Sequence, residues 1–181
     1  MTFLKMLEAI RTPFWDQVAA AVTLLGEETF FMLVGLALVW CFDKRWGFRL
    51  LFVGLTGTVL NQLLKAVFLI PRPWVIDPEF TIVETARAGA TGYSFPSGHT
   101  QSAACVLGML ALWVRDRVFT ALCVLGILAV AFSRMYLGVH TPLDVGVSLL
   151  TGAAIAVTTI LGYSAMAGFV GGGGLGTIAI N

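Results

Sequence analysis

Residues 47–70 read GFRLLFVGLTGTVLNQLLKAVFLI, and only Arg49 and Lys65, one toward each end, carry charge. A helix that crosses a bilayer needs about 20 mainly apolar residues, and this run satisfies that with room to spare. The rest of the chain has the same character. Hydrophobic residues make up 58% of the 181 residues and charged residues 12%, about half the charged share of a soluble domain. Five further apolar segments lie at 12–26, 29–42, 98–114, 118–134 and 143–163. The last of these is also long enough to span, whereas 12–26 and 29–42 are short and the first contains Asp16. The expected fold is all-α, a polytopic membrane helical bundle of about six transmembrane helices. Residues 2–11 read as an interfacial helix, with Phe3, Leu7 and Ile10 on one face.

Charge sets an expected orientation. With an internal N-terminus, Lys5, Arg11, Lys44, Arg45, Arg49, Arg115 and Arg117 all fall on the cytoplasmic side, as the positive-inside rule requires. Trp40, Trp46 and Trp113 sit beside those charges as an aromatic belt. A net charge of +1 and the lack of a basic tract argue against a nucleic-acid partner. Cys41, Cys105 and Cys123 lie in apolar runs without C-x-x-C spacing, and read as small buried residues.

The polar residues left within this apolar chain form three blocks. Lys65 is followed after six residues by Arg72-Pro73; Pro96-Ser97-Gly98-His99 precedes an apolar run; Ser133-Arg134 is followed after five residues by His140, and His140 after three by Asp144. On the expected topology all three blocks meet at the external membrane boundary. Three cations suit an anion, and arginine offers a planar fork that matches phosphate oxygens. A helix entered through Ser97-Gly98 presents free backbone N–H groups and a positive end. A histidine attacks through one ring nitrogen only when the other carries and holds the proton, and a carboxylate such as Asp144 does the holding. Thr141-Pro142 reads as a helix start that puts Asp144 in the first turn. The loop from Pro71 to Ser97 is long for a connection and carries motif residues at both ends; Trp74 and Phe80 in it are candidates for lipid contact. No metal-ligand cluster is evident, and no cofactor is called for.

The pattern K-x6-R-P, P-S-G-H, S-R-x5-H-x3-D resembles in full the signature of the type 2 phosphatidic acid phosphatase (PAP2) superfamily, also called the lipid phosphatase and vanadium haloperoxidase group. The resemblance covers roughly residues 1–161. It implies that His140 is the nucleophile, oriented by Asp144, and that His99 is the acid and base. Lys65, Arg72, Ser97, Gly98 and Arg134 would bind the phosphate. It implies a lipid phosphate or diphosphate substrate, of undecaprenyl diphosphate, phosphatidylglycerol phosphate or phosphatidic acid type, with polyprenyl diphosphate the first expectation. A bacterial inner-membrane location with an outward-facing site goes with that reading. Vanadium haloperoxidases share the motifs but are soluble. A non-catalytic lipid carrier or permease-associated subunit is the rival from another class, suggested by residues 162–181. That Gly-rich tail, GYSAMAGFVGGGGLGTIAIN, resembles the C-terminal part of methionine-type ABC importer permeases.

Overall fold

The computed structural model describes residues 1–169, with side chains described through 162. The Gly171–Gly174 run and most of the permease-like stretch lie outside the described residues. Among the described residues every regular element is helical. Helix α1 (Thr2–Ala9) leads to α2 (Pro13–Thr23), and a 3-10 turn leads to α3 (Glu28–Ala37), extended by a π turn at Leu38–Phe42. Then come α4 (Lys44–Phe68), the single turn α5 (Pro73–Ile76), α6 (Gly98–Val114), α7 (Arg117–Tyr136) and α8 (Pro142–Phe169). Their boundaries follow ordinary capping chemistry. Thr12, Asp43, Ser97 and Asp116 cap α2, α4, α6 and α7 through their side chains, and Pro13 and Pro73 occupy first-turn positions.

Helix α6 is the hub, packed against α4, α7 and α8, and Ala103, Cys105 and Val106 on it are completely enclosed. Helix α3 runs antiparallel to α4 at very close range. A methyl group on Gly54 would meet the Phe31 ring at 2.6 Å, and one on Gly47 would meet Val39 at 2.6 Å. Small residues of this kind let membrane helices pack through van der Waals contact where no hydrophobic force drives them together. The outer surface stays apolar: Phe48, Phe52, Leu55, Val59 and Leu63 of α4 are exposed, as are Leu122, Leu125 and Leu128 of α7. Cys105 and Cys123 are buried as expected, whereas Cys41 is exposed.

The all-α membrane bundle stands, but two details of the expected topology change. Among the described residues, three helical stretches are long and apolar enough to cross a membrane: Lys44–Ile76, Arg117–Tyr136 and Pro142–Gly162. The stretches Pro13–Gly26 and Glu28–Phe42 qualify only as one pair, bent by 50°. Helix α6, with 17 residues, is at the lower edge of spanning length. Segment 12–26 is therefore not a span of its own. Its 11-residue helix α2 covers only about 16 Å, and both its ends are tied to the last turn of α7. The Tyr136 hydroxyl accepts from the Thr12 N–H at 3.2 Å, and Arg134 donates to Thr23 Oγ1 at 3.0 Å.

Lys5 and Arg11 consequently lie at the motif-bearing end, not with the other basic residues. Lys5 pairs with Asp77 at 2.8 Å. Arg11 donates to the Tyr136 carbonyl (2.9 Å) and the Thr81 carbonyl (2.7 Å), and Glu8 accepts from Thr81. Helix α1 is thus strapped over the 71–97 loop. Phe80 is buried against Leu4 and Ile82, with the Arg11 guanidinium over its ring, so it is not a lipid-facing residue. The opposite end of the bundle keeps Lys44, Arg45, Arg49, Arg115 and Arg117, with Asp43 and Asp116 as its acids.

A candidate active site where four helix ends meet

Lys65 on the last turn of α4, Arg72 just beyond it, Ser97-Gly98-His99 at the start of α6, Arg134 at the end of α7 and His140 and Asp144 around the start of α8 gather at one end of the bundle. The three sequence motifs therefore meet as expected. Arg72 is the centre of the cluster. It is only 4% exposed, and its guanidinium donates to the Gly92, Val139 and Thr91 carbonyls at 3.1, 3.0 and 2.8 Å. Its Nη1 also lies 3.2 Å from His140 Nε2. Arginine only donates, so Nε2 must accept, and the ring proton of neutral His140 resides on Nδ1.

That Nδ1 faces Asp144 Oδ2 at 3.6 Å, long for a hydrogen bond, and is otherwise without a partner. Oδ2 is meanwhile held by the Ser94 hydroxyl at 2.6 Å and the Thr141 N–H at 2.8 Å. The carboxylate is thus fixed before the histidine needs it. Burial pushes the His140 imidazole below the usual histidine range, which keeps it neutral, the form that attacks. The arrangement reproduces the logic by which a carboxylate sets a tautomer and then stabilises the cation formed on attack.

Ser97 is fully enclosed. Its hydroxyl sits 3.0 Å from Thr100 Oγ1 and caps α6, a contact worth about 1 kcal/mol. In this structure Ser97 builds the helix entry. Gly98 and His99 line a cavity at this end of the bundle together with Lys65, whereas Arg72, Arg134, His140 and Asp144 are not among its lining residues. Arg134 is 2% exposed and its Nε has no partner, a donor left available beside the cluster.

Several contributors carry no signal in the sequence. Asn61, one turn before Lys65, is 3% exposed. Its amide donates to the Pro96 carbonyl (3.3 Å) and to Gln101 Oε1 (3.0 Å), while Gln101 donates to the Gly57 carbonyl at 3.0 Å. This buried chain ties α4 to the turn that carries His99. Gly26 presses on the same turn from the other side. A methyl group there would lie 2.4 Å from the His99 carbonyl oxygen, so only glycine permits the approach. Among the described residues, no three His, Cys, Asp or Glu side chains are grouped to hold a metal ion.

Comparison with known proteins points to one family. The PAP2 superfamily model matches residues 46–166. Phosphatidylglycerophosphatase B of Bacillus subtilis is 30% identical over 75% of this chain and 69% of its own length. Undecaprenyl-diphosphatase BcrC of the same organism is 35% identical over 56% of this chain, which spans half of it. Among solved structures, the PAP2-type phosphatidylglycerolphosphate phosphatase of Bacillus subtilis superposes with a TM-score of 0.71 at 27% identity, covering 87% of this chain and 81% of that one. Aquifex aeolicus LpxE gives 0.75 at 25% identity, covering 87% and 92%. With a family model spanning most of the chain and the same fold in solved members, this all-helical membrane protein belongs to the PAP2 superfamily and is a phosphatase.

Proposed function

We propose that the chain removes phosphate from a lipid phosphate or diphosphate through a phosphohistidine on His140, at the extracytoplasmic face of a bacterial inner membrane. The observation that carries the chemistry is the Arg72–His140–Asp144 arrangement, in which Arg72 holds Nε2 as an acceptor while Nδ1 faces a fixed carboxylate. When substrate enters, Arg72 Nη1 moves its hydrogen bond from Nε2 to a phosphate oxygen. Nε2 then bonds to phosphorus, the bond to the leaving oxygen breaks, and His99, which takes up a proton as the anionic substrate binds beside it, gives that oxygen its proton. Water, losing a proton to His99, next attacks phosphorus; the P–N bond breaks and inorganic phosphate departs. Lys65, Arg72 and Arg134, with the N–H groups at the Gly98 end of α6, stabilise the charge on the non-bridging oxygens. Lipid substrates are supported by the names of relatives that act on phosphatidylglycerophosphate and undecaprenyl diphosphate.

Purified protein in detergent is expected to release phosphate from at least one of phosphatidylglycerol phosphate, a polyprenyl diphosphate and phosphatidic acid, to do so in EDTA, and to be inhibited by vanadate. Vanadate mimics the five-coordinate phosphorus that the cations hold. Activity that vanishes on chelation and returns with magnesium or zinc would refute the metal-free mechanism.

Orientation rests on the basic end opposite the site, now without Lys5 and Arg11. Lys44, Arg45, Arg49, Arg115 and Arg117 still outweigh the acids there, which supports a cytoplasmic location for that end. With Cys41, Cys105 and Cys123 replaced, single cysteines at Ala88 and at Ile10 are expected to react with an impermeant thiol reagent in intact cells. A cysteine at Asp116 is expected to stay unlabelled. The reverse pattern would place the site inside, and labelling of Ala88 without Ile10 would separate α1 from the loop it straps.

A further inference from the structure

Between α7 and α8 the chain turns at Gly138, whose φ is +82°, a conformation open to glycine and strained for other residues. Glycine moves between backbone conformations at little cost, so it does not hold a turn by itself. Yet this turn carries His140, and an attacking atom must stand about 3–3.5 Å from phosphorus with its orbital aligned. The turn is held from outside. Three of its carbonyls each accept from a different part of the chain: Tyr136 from Arg11 Nε at 2.9 Å, Leu137 from the Val83 N–H at 3.2 Å, and Val139 from Arg72 Nη1 at 3.0 Å. Two arginines thus grip the chain, one on each side of the glycine hinge.

Arg72 belongs to a motif. Arg11 belongs to none, and it precedes residues 46–166, the stretch that matches the family. Its contacts are nevertheless specific. Nη1 donates to the Thr81 carbonyl at 2.7 Å, and the guanidinium lies over the Phe80 ring, 5.3 Å from its centroid. A methyl group on Gly138 would stand 2.6 Å from Nη2, so the bare glycine makes room for the guanidinium. The planar fork is therefore wedged between the long loop and the turn. Arg11 does not line the cavity beside Lys65 and His99, and its hydrogen bonds go to backbone carbonyls. Resting on the reading of His140 as nucleophile, we propose that Arg11 is a positioning residue for the phosphatase reaction. It pins the Tyr136 side of the Gly138 hinge while Arg72 pins the Val139 side, and the pair fixes where His140 Nε2 meets phosphorus. Lys5 supplies an internal comparison, because it ties the same N-terminal segment to the same loop through Asp77 at 2.8 Å, away from the turn.

The test measures kcat and KM separately for purified full-length variants in one detergent. The substrate is whichever of phosphatidylglycerol phosphate, farnesyl diphosphate and phosphatidic acid wild type hydrolyses fastest. Arg11→Gln is expected to lower kcat about a hundred-fold, the scale of a nucleophile displaced by about 1 Å, with KM little changed and the thermal melt close to wild type. Arg11→Lys keeps the charge and lacks the fork, so it is expected to recover about ten-fold of that loss. It also decides the question if Arg11→Gln does not fold, since a kcat equal to wild type would then overturn the proposal. Lys5→Gln, at a half-exposed ion pair, is expected to stay within about two-fold of wild type. Three results overturn the proposal: Arg11→Gln within three-fold of wild type, a raised KM in place of the lowered kcat, or Lys5→Gln falling as far as Arg11→Gln. His140→Ala is assayed alongside. Turnover by that variant would overturn the nucleophile reading itself, whereas an inactive His140→Ala beside a fully active Arg11→Gln would overturn only the role of Arg11.

Discussion

His140→Ala is expected to abolish phosphate release and the proposed acid-labile phosphoenzyme, while the protein stays folded in the membrane. Nothing near His140 can replace it. The chain's other histidine, His99, is assigned to proton transfer on the far side of phosphorus, and Asp144 is held by Ser94 and Thr141. The fold should tolerate the change because Arg72 keeps its bonds to Gly92, Val139 and Thr91. His140 donates its own backbone N–H to the Arg134 carbonyl at 3.3 Å, a contact that alanine retains. Losing the nucleophile removes the whole covalent path, so the expected fall is at least about 10⁶-fold in kcat, the scale seen when a nucleophile is deleted from a catalytic unit. The check is phosphate release by purified variant, alongside trapping of labelled phosphate on the protein. Turnover within a hundred-fold of wild type, with the variant verified by its thermal melt as folded, would sink the assignment.

The membership of the candidate cluster was largely legible in the sequence, because each motif is local. Lys65 and Arg72, Ser97 to His99, and Arg134 to Asp144 each fall within a few residues, and each block borders an apolar run whose end fixes its depth. What brings the blocks together was not legible. The bonds from Asn61 to Pro96 and Gln101, from Ser94 to Asp144, and from Thr23 to Arg134 join residues 35 to 111 positions apart. No periodicity in the chain marks them. Gly26 looks like any turn glycine until the His99 carbonyl is placed against it.

The topology error has a similar cause. Counting positive charges treats Lys5 and Arg11 as free to seek the cytoplasmic side, but their positions are set by Asp77, Thr81 and Tyr136. Hydropathy likewise scores 12–26 as apolar without showing that its helix is too short to span. Ser97 illustrates a subtler limit. Its place in a phosphate motif does not show that its enclosed hydroxyl also completes the cap of α6.

Asp144→Asn is expected to lower kcat by about 10⁴-fold, as when the orienting carboxylate of a Ser-His-Asp unit is replaced by its amide, with little loss of stability. Its oxygen can still accept from Ser94 and Thr141, now the stronger claims on it. That same oxygen is the one 3.6 Å from His140 Nδ1, so the NH2 group takes the other position and Nδ1 faces a neutral amide oxygen in place of a carboxylate. The amide withdraws the negative charge that stabilises the cationic histidine formed on attack. That loss falls on the transition state, so kcat should drop while KM moves little. A variant within ten-fold of wild type would show that Asp144 only caps α8, through Thr141, and that the tautomer of His140 is set by Arg72 alone.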